Sequence, residues 1–382
     1  YASDVAGGTV PVNTTTIDAL ASGAQTTVIL IDPTIRNLEG GTITYTAVID
    51  PENTITETDK TNNNKTSAAK PVRYNGYKGK ALYWEGGSNV TTYRTYDLRG
   101  DIIHSFGDAA YVSGSFGAGG WTTYNTTWAA SNLTIPTGAT VLEARLYVPY
   151  TWDSSNEAAN VTIDFNDVRV ERQHWYTDQS NFGGYGTFGY GLMTYDVTEL
   201  FRPNANNVAT FTRTISNAAL SPYGFTLAVV YKDQNATRKQ IFMNEEFDLL
   251  GASATGYGTT PEEATAYIPF TGQTIETANV MQATLVTFAP SGYGPEGDLL
   301  FNGIVIATDV WDHGPTDGPQ VAVDTRDVRE YLAATGNEAG IRSDDRHGGS
   351  PCIAASQQFL VVEYADAALP DLAVSTLTPN NG

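Results

Sequence analysis

Two similar hexapeptides, DVTELF at residues 196–201 and DVREYL at residues 327–332, indicate how this chain is built. Each begins with an Asp and has a Glu three residues later, which is the pattern of a capping box that opens a short helix. The two segments match in residue type and in spacing. Matched segments far apart in one chain are a signature of an internal repeat, so the sequences around them should match as well.

The flanking sequences do match. Upstream, ATVLEARLYVPY (139–150) corresponds to ANVMQATLVTFAP (278–290), and both alternate apolar residues as a strand does. Next come IDFNDVRV (163–170) and LLFNGIVI (299–306), in which Asn-Asp and Asn-Gly pairs suit tight hairpins. Downstream, GFTLAVVYKD (224–233) corresponds to QFLVVEYAD (358–366), and along the series the matched positions are separated by 131 to 139 residues.

Four matched elements in one order predict an all-β chain with tandem β-sandwich modules, jelly-roll or immunoglobulin-like, and very little helix. The predicted modules cover residues 75–233 and 234–366, the second being an internal duplicate of the first. An alternative is that two all-β modules merely resemble one another. Period-2 alternation also dominates the N-terminal region, as in GTITYTAVID (41–50), which indicates half-buried antiparallel strands.

Residues 1–70 resemble a partial CARDB domain, a small cell-adhesion-related sandwich of the immunoglobulin type found in prokaryotic surface proteins. The acidic, Asn-rich ending ETDKTNN (57–63) carries the resemblance, although Lys60 stands where the family has an acid. PDLAVSTLTPNNG (370–382) is similar to the opening strand of the same family. The resemblance implies a surface-exposed, adhesion-related protein.

The middle of the chain resembles a domain of unknown function from surface proteins of methanogenic archaea, where it alternates with CARDB-like domains. ARLYVPYTWD (144–153), QIFMNEEFDLL (240–250) and PEGDLLFNG (295–303) are among the stretches that carry this resemblance. It implies an archaeal, extracellular, cell-surface location. The family brings no established activity and no catalytic residues.

The C-terminal stretch reads as one strand and a turn with no partner strand after them. Leu372, Val374 and Thr376 share one face of this strand, and an unpaired strand tends to add to another sheet. We therefore expect residues 370–382 to be a donor strand or the start of a further CARDB-like domain in a longer tandem array. The predicted assembly strand consists of Leu372, Ala373, Val374, Ser375, Thr376, Leu377 and Thr378.

Composition excludes several classes of function. The net charge of −21 and the lack of any Lys/Arg-rich run argue against nucleic-acid binding and against attraction to anionic lipid. No apolar run is long enough for a membrane anchor, and the N-terminus lacks the features of a signal peptide. The single cysteine, Cys352, cannot form an intrachain disulfide.

The sequence gives no support for catalysis, so we predict that the protein is not an enzyme. The four histidines are dispersed, and no zinc, phosphate-loop or nucleophile-elbow motif is present. Neighbouring acids such as Glu245 and Glu246 point to opposite faces of a strand, which favours solvated faces and turn caps over a catalytic pair.

No cofactor is predicted, with calcium as the one alternative. Asp309, Asp312 and Asp317 lie in the turn-rich loop TDVWDHGPTDGP (308–319) and supply oxygen atoms of the kind that Ca²⁺ prefers. The loop lacks EF-hand spacing, and Asp also favours turns for conformational reasons.

An aromatic loop, NFGGYGTFGYG (181–191), could contact a sugar or a neighbouring subunit through Phe182, Tyr185, Phe188 and Tyr190. The alternative is that these rings fold back onto the protein's own surface. N-glycosylation motifs add N-linked glycans as possible partners. They occur at Asn13, Asn64, Asn89, Asn125, Asn132, Asn160 and Asn235.

Two function classes follow. The first is a non-enzymatic structural glycoprotein: a subunit of a sheath, S-layer or filament that assembles with itself, head to tail, by β-strand addition. The second is an adhesin or carbohydrate-binding surface module that uses the aromatic loop.

Overall fold

A computed structural model describes most of the chain. The described residues are 1–3, 8–21, 23–30, 42–71, 90–114, 121–153, 158, 160–179, 188–213, 219–253, 260–262, 264–314, 317–344, 346–347 and 352–365. They divide between two compact units, residues 1–74 and 75–382. Among them, no helix is long and apolar enough to cross a membrane.

Four short strands lie in the described part of the N-terminal unit. They are β1 (Thr42–Ile43), β2 (Thr46–Val48), β3 (Asn64–Thr66) and β4 (Lys70–Pro71). β1 pairs with β4 and β2 pairs with β3, both antiparallel, and an isolated bridge joins Ala2 to Tyr45. Ala2 and Ile43 are the buried apolar side chains of this unit within the described residues.

The second unit consists of two halves. The strands of the first half are β5 (Thr91–Ser105), β6 (Thr123–Trp128), β7 (Thr140–Asp153), β8 (Thr162–Phe165), β9 (Val168–Val170), β10 (His174–Gln179), β11 (Gly189–Asp196), β12 (Asn207–Thr212), β13 (Ser221–Pro222) and β14 (Thr226–Lys232). The strands of the second half are β15 (Arg238–Glu245), β16 (Asp248–Leu250), β17 (Thr265–Pro269), β18 (Val280–Pro290), β19 (Glu296–Phe301), β20 (Ile304–Trp311), β21 (Val321–Asp327), β22 (Glu338–Arg342), β23 (Ile353–Ala355) and β24 (Gln358–Tyr364).

One large antiparallel sheet runs through both halves in the order β10-β11-β7-β14-β5-β15-β24-β18-β21, with β13 added beside β7. Each half also has a four-stranded sheet, β6-β12-β8-β9 in the first and β17-β22-β19-β20 in the second. The halves therefore repeat one topology, with β7, β11 and β14 matching β18, β21 and β24. The two halves are joined through the β5–β15 pair into one continuous sheet.

The predicted hairpins lie at equivalent places in the two halves. Asn166 and Asp167 join β8 to β9 with φ of 50° and 68°, and Asn302 and Gly303 join β19 to β20 with φ of 49° and 79°. Two successive residues with positive φ give the turn whose twist suits a two-residue hairpin.

The matched Asn side chains also make matched hydrogen bonds. Asn166 Nδ2 donates to the Leu200 carbonyl at 2.8 Å, and Asn302 Nδ2 donates to the Tyr331 carbonyl at 2.7 Å. In each half a second Asn accepts from the first: Asn207 Oδ1 at 2.9 Å and Asn337 Oδ1 at 3.1 Å. The repeat thus extends to individual hydrogen bonds.

The two predicted capping boxes do not form, and a single 3₁₀ turn stands in place of each predicted short helix. The helices with defined bounds in the described residues are single 3₁₀ turns at Thr198–Leu200, Thr277–Asn279 and Arg329–Tyr331, and none has a side-chain hydrogen bond at its N-cap residue. Asp196 and Asp327 instead accept from the backbone N–H two residues on, at 3.0 and 2.9 Å. The chain then returns to an extended conformation, because the following Phe201 and Leu332 pack into the two cores.

Three apolar cores stabilise the second unit. One fills each sandwich, around Trp128 in the first half and Trp311 in the second. The third lies between the halves and includes Tyr147 from β7 together with Phe288 and Phe359 from β18 and β24. Phe288 and Phe359 meet edge to face with ring centroids 5.4 Å apart.

β5 links the two halves, because it changes its pairing partner along its length. Residues 91–99 of β5 pair with β15, whereas residues 100–105 pair with β14. Gly100 stands at the change of partner with φ of +152°, and a Cβ there would lie 2.0 Å from the Tyr231 carbonyl oxygen. Only glycine allows this close approach of two backbones.

Candidate functional site

A β-bulge near the start of β5 adjoins a group of charged side chains at the contact between the halves. Across the β5–β15 pair, Met243 faces Arg94 and Asn244 faces Thr92, so Tyr93 is an extra residue. A bulge re-aims side chains that would otherwise alternate between faces. As a result the two consecutive side chains Tyr93 and Arg94 both reach toward β7.

Arg145, on β7, is the centre of this region and is fully buried. Its Nε and Nη2 atoms donate to the two carboxylate oxygens of Glu245 on β15, at 2.6 and 2.5 Å. Further hydrogen bonds go to Thr194 at 2.8 Å and to Gln173. The Tyr93 ring covers the guanidinium, with its centroid 3.9 Å from Cζ. A bidentate ion pair between Arg145 and Glu245 therefore joins the first half to the second.

Glu143, two residues before Arg145 on the same face of β7, is also buried. Its Oε2 atom accepts from Arg94 Nη1 at 3.1 Å and from the Tyr96 hydroxyl. Burial raises the pKa of Glu143, although the hydrogen bond from Tyr96 and the charges of Arg94 and Arg145 act in the opposite direction.

Four partly exposed rings surround these buried charges. His174 and Tyr176, on β10, stack with ring centroids 5.6 Å apart, and Tyr93 meets His174 edge to face at 5.8 Å. Tyr176 also donates its hydroxyl to Glu245 Oε1 at 2.8 Å. We call this cluster the arginine–tyrosine site. It consists of Tyr93, Arg94, Tyr96, Glu143, Arg145, His174, Tyr176 and Glu245.

The aromatic loop at 181–191, which was predicted to make external contacts, is only partly described. Phe188 and Tyr190 are buried, and they pack against Trp152 with centroid distances of 5.2 and 6.4 Å. These two rings therefore face the protein's own core, where no external sugar can reach them. Phe182 and Tyr185 lie outside the described residues.

The three acids proposed for calcium do not converge. Asp309 Oδ1 lies 2.9 Å from His347 Nε2 and 3.7 Å from Arg346 Nη1, so its charge is already compensated by protein groups. Asp312 accepts backbone N–H groups of Gly294 and Gly314 at 3.2 and 3.0 Å, as a turn-forming Asp does. Across the described part of the chain, no three His, Cys, Asp or Glu side chains are placed to hold a metal ion.

The acid pair at 245–246 is buried, and the expectation of a solvated face for it is wrong. Glu245 binds Arg145, whereas Glu246 points away and accepts the Phe247 N–H at 2.5 Å. Burial, followed by the neighbouring Asp248, raises the pKa of Glu246 well above its ordinary value. The strand is covered on both sides here because the second half lies against the first.

The six glycosylation motifs within the described residues all present an exposed Asn. These are Asn13, Asn64, Asn125, Asn132, Asn160 and Asn235. Asn89 and the predicted assembly strand Leu372–Thr378 lie outside the described residues.

Reasoning from the sequence missed the arginine–tyrosine site, because its members come from four strands separated by up to about 150 positions. One local signal was present. In ATVLEARLYVPY, Glu143 and Arg145 alternate with apolar residues that fill the sandwich core, so the second face of β7 carries charges at a central position of a sheet. Charges on a central strand are rarely buried without partners, which predicts a polar contact on that face.

The fold and these contacts define a class: an all-β protein in which a small N-terminal sandwich unit precedes a double sandwich with one shared sheet. The family model described as "Protein of unknown function (DUF3344)" matches residues 76–363, and the chain belongs to this family. The CARDB family model matches residues 3–67, which suggests a surface or adhesion-related domain.

Solved structures show only a distant likeness. PNGase F, a glycosylasparaginase from Flavobacterium meningosepticum, is 12% identical over 71% of this chain and 96% of its own, with a TM-score of 0.22. Dimeric latent PorU from Porphyromonas gingivalis is 8% identical over 76% of this chain and 21% of its own, with a TM-score of 0.23. Scores this low carry no argument about activity. No curated protein matches the chain.

Proposed function

We propose that the chain is a non-enzymatic structural glycoprotein of an archaeal cell surface, a subunit of a sheath, S-layer or filament. One observation carries the proposal. The N-terminal unit exposes nine of the sixteen large apolar side chains that are exposed in the described residues, including Ile29 at 85%. The nine are Val10, Ile17, Leu20, Val28, Ile29, Leu30, Tyr45, Ile49 and Ile55.

Exposed apolar side chains in a unit with very short strands suit the addition of another strand. β1 to β4 have two or three residues each and form two-stranded sheets, and strands at the edge of a sheet are where a further strand can add. An added strand would supply backbone hydrogen bonds and cover apolar side chains at the same time. The matched CARDB family supports a surface role for this unit.

The proposed donor is Leu372–Thr378 of a second copy, in which Leu372, Val374 and Thr376 alternate with smaller residues. A contact between one end of a copy and the other end of the next is heterologous. Such contacts produce open filaments or sheets unless the rotation happens to close a ring. Glycans on the exposed Asn side chains would then coat the assembled surface.

Electron microscopy of the full chain with a single substitution in the donor strand tests the proposal. Val374→Pro removes one backbone N–H and opposes central-strand geometry, so we expect filaments or sheets of the wild type to disappear. Val374→Ile keeps the N–H and the β-branched side chain, and we expect it to assemble like the wild type.

Two results would contradict strand addition. One is monodisperse wild-type particles at every concentration. The other is assembly by Val374→Pro that equals assembly by Val374→Ile, since the two variants differ in their ability to extend a sheet.

A further inference from the structure

We propose that the arginine–tyrosine site binds a neutral saccharide. The site belongs to the double sandwich and does not depend on the strand addition proposed above. Its rings are partly exposed, unlike the described rings of the loop at 181–191, so a ligand can reach them.

The exposed edge of the site, which we call the rim, consists of Tyr93, Arg94, His174 and Tyr176. It offers the two kinds of contact that a sugar uses. The C–H face of a pyranose packs on aromatic rings, and Tyr93, His174 and Tyr176 form a connected group of such rings. Sugar hydroxyls accept hydrogen bonds from planar cationic groups. Arg94 supplies one at the entrance, because its side chain is 41% exposed while one nitrogen is anchored on Glu143.

Three buried oxygens beneath the exposed rings of the site lack a hydrogen-bond partner in the described structure. They are Glu143 Oε1, the Tyr93 hydroxyl and the Tyr147 hydroxyl, and Tyr147 is fully buried. Buried polar atoms in native proteins almost always have a hydrogen-bond partner. Three such atoms around one guanidinium give the site unsatisfied hydrogen-bonding capacity close to the exposed rings, where a polar ligand and its bound water would lie.

The charge of the site selects a neutral ligand. Two carboxylates, Glu143 and Glu245, face two guanidiniums, Arg94 and Arg145, and all four are paired with one another. An anionic or cationic ligand would add a charge that has no partner among these balanced pairs, which is costly next to buried groups. A neutral polyhydroxyl compound adds hydrogen bonds and leaves the pairs intact.

The bulge at Tyr93 supports a binding role over a purely structural one. An uninterrupted β5–β15 ladder would direct Tyr93 and Arg94 to opposite faces of the sheet. The bulge brings the Tyr93 and Arg94 side chains to the same site, although it interrupts the regular pairing of β5 with β15. Bulges are over-represented next to functional sites.

Saturation-transfer NMR on the full chain tests the proposal, with glucose, galactose, mannose and N-acetylglucosamine as probes at millimolar concentration. We expect transfer to the ring protons of at least one of them. His174→Ala and Arg94→Ala remove a partly exposed ring and the exposed cation, and each should weaken binding about tenfold, which is the usual scale for losing one good contact. Tyr293→Ala removes an exposed ring elsewhere and should change nothing.

Thermal melting of each variant establishes that it is folded, and either rim variant alone is sufficient if the other does not fold. The proposal is overturned if none of the four sugars receives saturation from the wild type, which is the outcome for a site filled by water alone. It is also overturned if both rim variants bind like Tyr293→Ala, or if glucuronic acid binds and the neutral sugars do not.

Discussion

At the scale of single residues, Arg145 shows why burial of charge does not destabilise the contact between the halves. Its guanidinium has partners for Nε, Nη1 and Nη2, and the Tyr93 ring covers its face. A buried ion pair is tolerated only when its remaining hydrogen-bonding groups are satisfied in this way. The pair therefore fixes which residues of β7 and β15 meet, in addition to any contribution to stability.

Glu296 gives the pH-dependent prediction at this scale. Burial raises its pKa from 4.5 to about 7, so the folded protein keeps the proton at pH values where the unfolded chain has lost it. The folded protein binds more protons between these values, and its stability must fall as the pH rises from about 4.5 to about 7. A pKa difference of one between the folded and unfolded protein corresponds to about 1.4 kcal/mol in the free energy of unfolding. Because Glu296 is partly exposed, we expect a total loss of about 2 kcal/mol.

Glu296→Gln removes this ionisation, so the variant should lose less stability than the wild type between pH 5 and pH 8. Denaturant unfolding at both pH values measures the difference. Glu262→Gln removes an exposed carboxylate and controls for the change in net charge. Equal pH dependence in the wild type and in Glu296→Gln would show that Glu296 does not carry the effect.

Among the elements, β5 decides how the two halves of the second unit are connected. Residues 91–99 pair with β15 of the second half, and residues 100–105 pair with β14 of the first half. Gly100 stands at this change of partner, where a Cβ would lie 2.0 Å from the Tyr231 carbonyl oxygen. The close backbone approach at Gly100 therefore lies where one strand joins both halves into one sheet.

Gly100→Ala should reduce the free energy of unfolding by about 2 to 4 kcal/mol, because the new Cβ would overlap the Tyr231 carbonyl and the Leu98 side chain. Urea unfolding followed by tryptophan fluorescence measures the loss. Gly138→Ala is the matched control, since Gly138 also has positive φ but no atom within 4 Å of the added Cβ. It should cost about 1 kcal/mol from backbone strain alone. Equal losses for the two variants would contradict the steric role assigned to Gly100.

In the whole molecule, the two halves of the second unit are connected by a shared sheet, a shared core and a buried ion pair. β5 has hydrogen-bonded partners in both halves, the third core draws side chains from both, and Arg145 binds Glu245 across the contact. Separating the halves would expose all of these groups together. We therefore expect the two halves of the repeat to unfold together.

Calorimetry of the full chain should show one cooperative transition for the double sandwich, with any transition of the N-terminal unit distinct from it. Glu245→Ala leaves Arg145 buried without its partner and should shift the whole of the large transition to lower temperature. Glu262→Ala, at an exposed position, should leave it in place. Splitting of the large transition into two of similar enthalpy would show that the halves fold independently.

Local patterns were sufficient to predict the all-β class, the repeat and its hairpins: period-2 alternation, and Asn-Asp or Asn-Gly at turns. They could not predict the shared sheet, the change of partner at Gly100 or the arginine–tyrosine site. Glu245 and Arg145 are 100 positions apart, and Glu246, which local sequence suggests is solvated, is buried in the fold. The fold is what removes water from these polar residues, since burial depends on strands that are distant along the chain.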